Sequence, residues 1–340
     1  MSITKFIIRR FLFLIPTLLG ITMITFFISH VVPGDPARLI AGLEAKEEAV
    51  ERIRQELGLD KPVHIQYLLY MTGLMRGDLG KSVINRKPVI ENLLDYFPAT
   101  VELALFAFTL AVLAGIPIGM YTAIHKDGWG DTIFRFISML GIAFPIFWVG
   151  IILLLIFYFK LGWLPSSGRV DVELFASQKI KLVTNLLLVD SILAGNPAVF
   201  WDSFKHLLLP AVTLAFGPMA RFTRFTRAVM LEVLAMPYIQ TARAKGSKES
   251  RVIMRHALRN ALIPTATLMG IAFGYMLGGS VLVEMIFGWP GIGKYAFESI
   301  TFLDYPAIVG ITLLSATVFL IVNLFVDFLY GILDPRIEYS

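Results

Sequence analysis

The stretch Tyr238-Ile-Gln-Thr-Ala-Arg-Ala-Lys-Gly246 is a polar, cationic island between two apolar segments, and a basic run continues it to Arg259. Pro237 suits the first turn of a helix, and most of the residues that follow are good helix formers. The glycine that ends the stretch is a natural helix stop, and Ser247 is placed to cap a second helix through Arg259. The stretch predicts a short helix, a sharp glycine turn and a longer helix that leads back into an apolar segment.

The composition around this island is typical of a membrane protein. The 340 residues are 56% hydrophobic and 16% charged, with a mean hydropathy of +0.73, whereas soluble domains carry about 25% charged residues. The chain has no cysteine, which excludes disulfides and Cys-based metal sites, and its five histidines lack HExxH spacing. We therefore expect no metal site. The net charge of +5 is better explained by membrane orientation than by nucleic-acid binding.

Six apolar segments are predicted to span the membrane. Five are uncharged runs of about the 20 residues that a span needs: residues 11–32, 103–124, 136–159, 261–283 and 305–326. The sixth, residues 207–220, is shorter and runs directly into Arg221, Arg224 and Arg227. We expect these arginines to snorkel toward headgroups and water. The prolines within the predicted spans are interpreted as tolerated kinks: Pro16, Pro117, Pro145 and Pro210.

Residues 182–201 form a competing candidate span, but Asn185, Asp190 and Asn196-Pro197 interrupt it. Counting this segment would place the basic cluster at residues 221–259 outside the cell. Basic residues accumulate in cytoplasmic loops, so this topology is disfavoured. With six spans, both termini and the basic cluster lie in the cytosol.

These spans predict one all-α integral membrane domain over residues 1–340. Residues 1–32 hold the first span, which is retained and has a cytosolic N-terminus. Residues 33–98 form an extracytoplasmic segment with a helix over 44–57, and residues 99–340 form a five-helix core. Residues 229–262 of this core are a cytosolic loop, named here the coupling loop.

Gly288-Trp-Pro-Gly-Ile-Gly-Lys294 fits the G-x-x-x-x-G-K pattern of a phosphate-binding P-loop. Tyr295 stands where a Ser or Thr would bind Mg²⁺, and an apolar span precedes the motif instead of a strand. The six-span topology also places the motif on the side away from cytosolic ATP. We therefore expect that the chain binds no nucleotide and does not hydrolyse ATP by itself.

Several motifs together resemble a known family. Tyr238–Gly246 with residues 251–264 closely resembles the EAA loop of ABC importer permeases, most narrowly the dipeptide/oligopeptide/nickel subfamily and its B-type permease. The family's Glu-Ala-Ala falls on Gln240, Thr241 and Ala242, so the glutamate is absent. Further matches follow in order along the chain: Pro33-Gly-Asp-Pro36, Leu57-Gly-Leu-Asp60, Gly77-Asp-Leu-Gly80, Glu284-x-x-Phe287-x-x-Pro290-Gly-x-Gly293 and Asp334-Pro-Arg336.

The resemblance implies a type I ABC importer permease fold in the cytoplasmic (inner) membrane of a prokaryote. The implied partners are a second homologous permease in a heterodimer, two cytosolic ATPases that hold ATP and Mg²⁺, and an extracytoplasmic solute-binding protein. The loop residues implied to form the helix that couples to the ATPase are Tyr238, Gln240, Thr241, Ala242, Arg243, Ala244, Lys245 and Gly246.

The implied function is ATP-driven import of short peptides by alternating access. Related permeases handle nickel chelates, glutathione or oligosaccharides, and these solutes remain alternatives. A secondary transporter not driven by ATP is an alternative of another class, although such proteins place coupling charges at mid-membrane and this chain has almost none there.

Some residues outside the coupling loop are weaker candidates. Phe144, Trp148 and Phe273 are candidates for the substrate pathway, and they fit core packing equally well. Candidates for an extracytoplasmic gate are Glu284, Phe287, Pro290 and Gly291. The remaining polar and small residues are expected to be structural: Asn323 and Asp327 on one helix face, Glu102 and His206 as interfacial anchors, and the glycines 270, 274, 278 and 279 as a close helix contact, either within this chain or with another permease chain.

Overall fold

The structure is a computed structural model, and it describes residues 3–31, 36–41, 45–56, 58–178, 180–278 and 280–333. Within these ranges the regular structure is helical, apart from one isolated bridge between Lys81 and Pro88. Parts of the predicted motifs at residues 33–35, 57, 279 and 334–336 lie outside the described residues.

The helices follow each other in this order: α1 (Ile3–Val31), α2 (Pro36–Ala41), α3 (Glu47–Glu56), α4 (Val63–Met75), α5 (Val89–Ile124), α6 (Trp129–Ala143), α7 (Ile146–Leu153), α8 (Val172–Gln178), α9 (Leu187–Leu193), α10 (Pro197–Leu234), α11 (Pro237–Ala244), α12 (Glu249–Arg251), α13 (Arg259–Leu277), α14 (Val281–Ile286), α15 (Ile292–Thr301) and α16 (Tyr305–Leu333). Two π-helical segments continue this chain of helices, Leu154–Lys160 after α7 and Val252–Leu258 between α12 and α13.

The centre of the fold is the pair formed by α5 and α10. Every fourth residue of α5 along one stripe is buried: Ala99, Leu103, Ala107, Ala111, Gly115, Gly119 and Ala123. A Cβ on Gly119 would lie only 2.7 Å from the Thr223 carbonyl oxygen, and the Thr223 hydroxyl donates to the Gly115 carbonyl at 3.2 Å. Small residues at this spacing bring two membrane helices into backbone contact, which the sequence analysis did not single out for α5.

Several of the predicted spans coincide with long apolar helices. Within the described residues, three stretches are long and apolar enough to cross a membrane, Val89–Ile124, Glu249–Leu277 and Tyr305–Val326, and the bent pair of α6 with Ile146–Lys160 makes a fourth if the pair counts as one span. The first predicted span falls in α1, and the predicted span at 207–220 falls in α10, a 38-residue helix that runs on through the three arginines. The total of six spans stays a prediction.

The expectation of a tolerated kink at Pro145 is wrong. α6 ends at Ala143, and the chain bends by 110° before α7 begins at Ile146. Phe144, the residue before the proline, is extended with φ −79° and ψ 136°, because the proline ring clashes with a helical conformation there. Pro16, Pro117 and Pro210 lie inside continuous helices.

Other local predictions are confirmed. The helix predicted at 44–57 is α3, and the chain turns at Gly58 with φ +66°. Residues 182–201 are divided between α9 and the start of α10, whose N-cap Asn196 accepts from the Val199 N–H at 3.1 Å. The predicted glycine contact is made within the chain by Gly270 and Gly274, where a Cβ would collide with Val326 and Phe319 of α16, whereas a Cβ on Gly278 would meet only carbonyls of its own helix.

Three apolar clusters lie along α5. The central one joins α5, α10, α13 and α14. A second lies where α5 ends, with Ala123 packed near α11, and a third lies where α5 begins, with Val89 packed near α15 and α16. Because α5 has 36 residues and a helix rises about 1.5 Å per residue, the two outer clusters are separated by about 50 Å. These two ends hold the candidate sites.

Candidate coupling and gate sites

The coupling loop has the predicted helix–glycine–helix form. α11 begins with Pro237 in its first turn and ends just before Gly246, whose φ is +73°. The Gly246 N–H donates to the Arg243 carbonyl at 2.9 Å, and the Ser247 N–H donates to the Ala242 carbonyl at 3.2 Å. This pair of bonds is a Schellman motif, which requires the left-handed conformation that glycine adopts without strain.

The expected Ser247 cap is wrong. The second helix begins at Glu249 with Lys248 at the N-cap position, and no side chain caps it. Glu249 instead accepts two bonds from Arg243, at 2.6 Å and 3.1 Å, so an ion pair bridges the glycine turn. Ser247 lies one position too early to cap the helix, because the N-cap position is occupied by Lys248.

One buried side chain anchors α11 to the rest of the fold. Ile239 is fully buried among Met230 and Val233 of α10 and Val252 of the π-helical segment. The Tyr238 hydroxyl accepts from the Asn260 amide at 2.8 Å, which ties α11 to α13. The sequence analysis did not name Ile239, although a lone branched apolar residue in a polar helix is a recognisable anchoring signal.

Most of the predicted coupling residues are exposed to solvent, whereas Ala242 packs against the same cluster as Ile239. Ala242 is half-buried, and the others are exposed: Tyr238, Gln240, Thr241, Arg243, Ala244, Lys245 and Gly246. The exposed residues form the outward surface of α11. Contacts with α10, the π-helical segment and α13 hold this helix in place.

Arg227 does not snorkel into water as expected. Its guanidinium makes a bidentate contact with Asp131 of α6, with both N···O distances at 2.7 Å, and the Asp131 side chain is fully buried. Arg221 and Arg224 are exposed. The ion pair joins residues 96 positions apart, so no local pattern in the sequence could indicate it.

The aromatic pathway candidates are only partly brought together. Phe144 and Trp148 stack at the bend after α6, with ring centroids 4.5 Å apart, and both are about two-fifths exposed. Phe273 instead packs against Phe108 of α5 at 4.8 Å, on the side of the central cluster. A shared pathway role for the three stays a prediction.

The gate candidates lie in a loop over residues 284–294, named here the Glu284 loop. The Glu284 side chain is fully buried, and its carboxylate accepts from the Thr100 hydroxyl at 2.9 Å and from the Lys294 N–H at 2.9 Å. The Thr100 hydroxyl oxygen accepts in turn from the Ile292 N–H at 2.8 Å. Two backbone N–H groups of the P-loop-like motif are therefore used inside the chain, that of Lys294 by the Glu284 carboxylate and that of Ile292 by the Thr100 hydroxyl.

The glycine at 291 is required by this arrangement. A Cβ on Gly291 would lie 2.5 Å from both the Glu284 carboxylate and the Thr100 hydroxyl. Phe287 and Trp289 are buried, and the Trp289 indole donates to the Ala99 carbonyl at 2.8 Å. Pro290 is half-buried. The motif thus fastens the loop to α5, and its role as a gate stays a prediction.

Burial raises the pKa of Glu284 from 4.5 to about 7, because the charged carboxylate loses its hydration. The Lys294 N–H, the Thr100 hydroxyl and the Gly293 N–H lower the pKa but do not offset the burial. The carboxyl group therefore changes charge near neutral pH.

The other polar residues have specific partners. Glu102 pairs with Arg169 at 2.5 Å and accepts from the Leu188 N–H at 2.8 Å, and the Arg169 guanidinium lies 5.6 Å from the Trp289 ring centroid. His206 contacts its neighbour Asp202. The Asp327 side chain and Arg336 lie outside the described residues. In the described part, no group of three or more His, Asp or Glu could hold a metal ion.

Known proteins resemble this chain over almost its full length. A family described as the inner membrane component of binding-protein-dependent transport systems matches residues 115–339, and its N-terminal membrane component matches residues 3–104. A dipeptide transport system permease of Alkalihalophilus pseudofirmus is 45% identical over 97% of this chain and 98% of its own length. A probable D,D-dipeptide transport system permease of Escherichia coli is 45% identical over 94% of this chain and 93% of its own length. A glutathione transport system permease of Salmonella choleraesuis is 39% identical over 99% of both chains.

Proposed function

The chain belongs to the family of inner membrane components of binding-protein-dependent transport systems, and from this premise we propose that its coupling loop seats on a cytosolic ATPase subunit. The chain is a permease subunit of a dipeptide-type ABC importer, and the ATPase of such a transporter resides on partner chains. It works in a complex with other subunits of the transporter.

The observation that carries this proposal is the two-sided nature of α11. One side is anchored by the fully buried Ile239, and the other presents Gln240, Thr241 and Lys245 to solvent. A helix of eight residues is marginal in isolation, so this outward surface is held in place by its tertiary contacts. Such an exposed surface, held in position by buried contacts on the other side of the helix, suits a rigid contact with another protein.

Movement of α11 has two direct routes into the membrane. α10 reaches the loop as one helix from Pro197 to Leu234, and α12, the π-helical segment and α13 leave it continuously from Glu249 to Leu277. The Asp131–Arg227 pair adds α6 to the group that moves with α10. Closure of the ATPases on ATP would pull α11 and switch the cavity between outward-facing and inward-facing states.

The solute proposed for this importer is a short peptide. Two of the relatives are named for dipeptides and a third for glutathione, so glutathione is the second candidate. Transport assays with a labelled dipeptide and with labelled glutathione, each as competitor of the other, would separate the two.

The complete assembly proposed here has a second homologous permease, two ATPases that bind ATP and Mg²⁺, and an extracytoplasmic binding protein. Six spans place both termini and the coupling loop in the cytosol. The Glu284 loop then lies on the extracytoplasmic side, where it is placed to act in the gate.

Ala244→Glu tests the proposed coupling. Ala244 is exposed, so the variant should fold and assemble. The larger, charged side chain should disturb the proposed contact with the ATPase. We expect stimulation of ATPase activity by peptide-loaded binding protein to fall at least about tenfold, which is about 1.4 kcal/mol of coupling. The measurement is vanadate-sensitive ATPase activity of the complex in nanodiscs.

The matched control is Glu48→Lys on the exposed surface of α3, which should leave stimulation unchanged. Full stimulation in the Ala244→Glu complex, with the subunits still bound, would show that the exposed side of α11 does not couple to the ATPase.

A further inference from the structure

Helix α4 (Val63–Met75) is an apolar helix that the chain itself leaves uncovered. It contains no Asp, Glu, Lys or Arg, and none of its residues is buried. Four of its large apolar side chains are exposed, at 54% for Val63, 57% for Leu68, 44% for Leu69 and 76% for Met75, and the others are half-buried. Apolar surface of this kind in water is unfavourable and marks a contact with another apolar phase.

The position of α4 against α1 shows at what depth it lies. The Tyr67 hydroxyl is hydrogen-bonded to the Thr22 hydroxyl at 3.0 Å, and the Phe26 ring lies 5.2 Å from the Tyr67 ring and 5.7 Å from the Tyr70 ring. Thr22 and Phe26 are nine and five residues before the end of α1 at Val31. At about 1.5 Å per residue, the contacts lie roughly 8 to 14 Å along α1 from its end.

That distance from the end of α1 is shorter than the thickness of one leaflet of a membrane. Helix α1 packs along α16, which contains a candidate span, and the hydrocarbon core of a bilayer is about 30 Å thick, so one leaflet accounts for about 15 Å. Helix α1 itself carries exposed apolar side chains, among them Met23 at 65% and Phe27 at 63%, each next in sequence to a residue that contacts α4. The two helices therefore present a joint apolar surface to the same phase.

The length and the flanks of α4 suit a helix that enters a membrane without crossing it. Its 13 residues extend about 20 Å, which is too short for a span. Charged residues stand on both sides of it, Asp60 and Lys61 before and Arg76 and Asp78 after. Tyrosines are enriched at membrane interfaces, and α4 carries two that contact α1.

We propose that α4 lies in the outer leaflet of the bilayer beside α1, with Leu68, Leu69 and Met75 in contact with phospholipid acyl chains. Residues 33–98 are then not a purely extracytoplasmic segment, because α4 divides this segment into two soluble parts joined by a membrane-embedded helix. The embedded helix braces α1 from the lipid side. The chain positions before and after α4 are thereby held close to the membrane surface.

The experiment uses single cysteine variants, which this cysteine-free chain allows without other substitutions. Leu68→Cys reports on α4, Met23→Cys on the exposed side of α1, and Glu48→Cys on the exposed surface of α3. Each variant is spin-labelled in the assembled complex in phosphatidylethanolamine–phosphatidylglycerol nanodiscs. Collisions of the label with oxygen, which concentrates in lipid, are compared with collisions with a water-soluble nickel chelate.

We expect the label at Leu68 to collide several-fold more with oxygen than with the nickel chelate, as the label at Met23 does, and the label at Glu48 to show the reverse. A Leu68 label with the Glu48 pattern would place α4 in water and overturn the proposal. Low accessibility to both reagents would mean that a protein partner covers α4, and this too would overturn it. Met75→Cys repeats the measurement should the Leu68 variant fail to assemble, and none of these outcomes depends on ATPase coupling.

Discussion

The coupling loop and the Glu284 loop are both motif-bearing turns with glycines, but they use their motif residues in opposite ways. In the coupling loop, most of the motif residues are exposed and Ile239 is the fully buried one. In the Glu284 loop, Glu284, Phe287 and Gly291 are themselves buried. The difference teaches that the first motif leaves a surface open to other molecules, as the proposed coupling requires, whereas the second holds parts of this chain together.

The largest expected effect comes from Gly291→Ala in the Glu284 loop. The added Cβ would lie 2.5 Å from the Glu284 carboxylate and the Thr100 hydroxyl, so the network must break or the loop must move away from α5. Overpacking and the loss of buried hydrogen bonds together cost about 3 kcal/mol or more. We expect a large loss of assembled complex, measured by size-exclusion chromatography and thermal unfolding.

Gly278→Ala is the matched control, because its Cβ would approach only backbone carbonyls of its own helix, at 3.5 Å or more. If Gly291→Ala were as stable as this control, the internal role assigned to the Glu284 loop would be wrong.

A smaller, pH-dependent effect is expected for Glu284→Gln. The pKa of Glu284 is raised from 4.5 to about 7, so between these pH values the folded state binds more protons than the unfolded state. The stability of the wild-type complex therefore falls as pH rises through this window, by about 1.4 kcal/mol per unit of pKa shift. The glutamine variant has no such proton and should show a flatter profile.

The measurement is the midpoint of thermal unfolding of both complexes at a series of pH values from 4.5 to 7.5, in the same nanodiscs. Parallel profiles for wild type and variant would mean that Glu284 does not titrate in this range. Glu284→Gln should leave the proposed contact between α11 and the ATPase unchanged, so that the effects of the two loops are measured separately.

The smallest effect on stability is expected for Arg243→Ala in the coupling loop. Its ion pair with Glu249 is about half exposed on both sides, and exposed ion pairs contribute little to stability because water and salt screen them. We expect almost no change in thermal unfolding but reduced ATPase stimulation, because Arg243 belongs to the outward surface of α11. A variant with the two charges exchanged, R243E with E249R, tests whether the pair or the arginine itself matters. A strongly destabilised Arg243→Ala complex would contradict an outward, partner-facing role.

The sequence predicted local structure correctly where residues close together along the chain determine the backbone conformation. Pro237 and Gly246 each determine a backbone conformation with their own covalent structure, so the helix and its turn were predicted correctly. The Ser247 cap was predicted wrongly by one or two residues, because the helix starts at Glu249 with Lys248 at the N-cap position. At Pro145, the sequence indicated a disturbance but not its size, because other prolines lie inside continuous helices.

Contacts between distant parts of the chain were not readable. The pairs Asp131–Arg227 and Glu102–Arg169 join residues 96 and 67 positions apart, and nothing in their neighbourhoods distinguishes them from other charged residues. The Glu284–Thr100 bond spans 184 positions, so the sequence could reject a nucleotide site at the P-loop-like motif but could not say what the loop binds instead.

The sequence by itself determined that this is an α-helical membrane protein with a helix–glycine–helix loop of the importer permease type. Hydropathy, charge distribution and glycine or proline stereochemistry act over a few residues and need no knowledge of the fold. Only the tertiary structure decided which motif faces outward and which is buried, which charges pair, and that α4 remains uncovered beside α1. These outcomes depend on which helices pack together, and packing brings together residues that no local pattern relates.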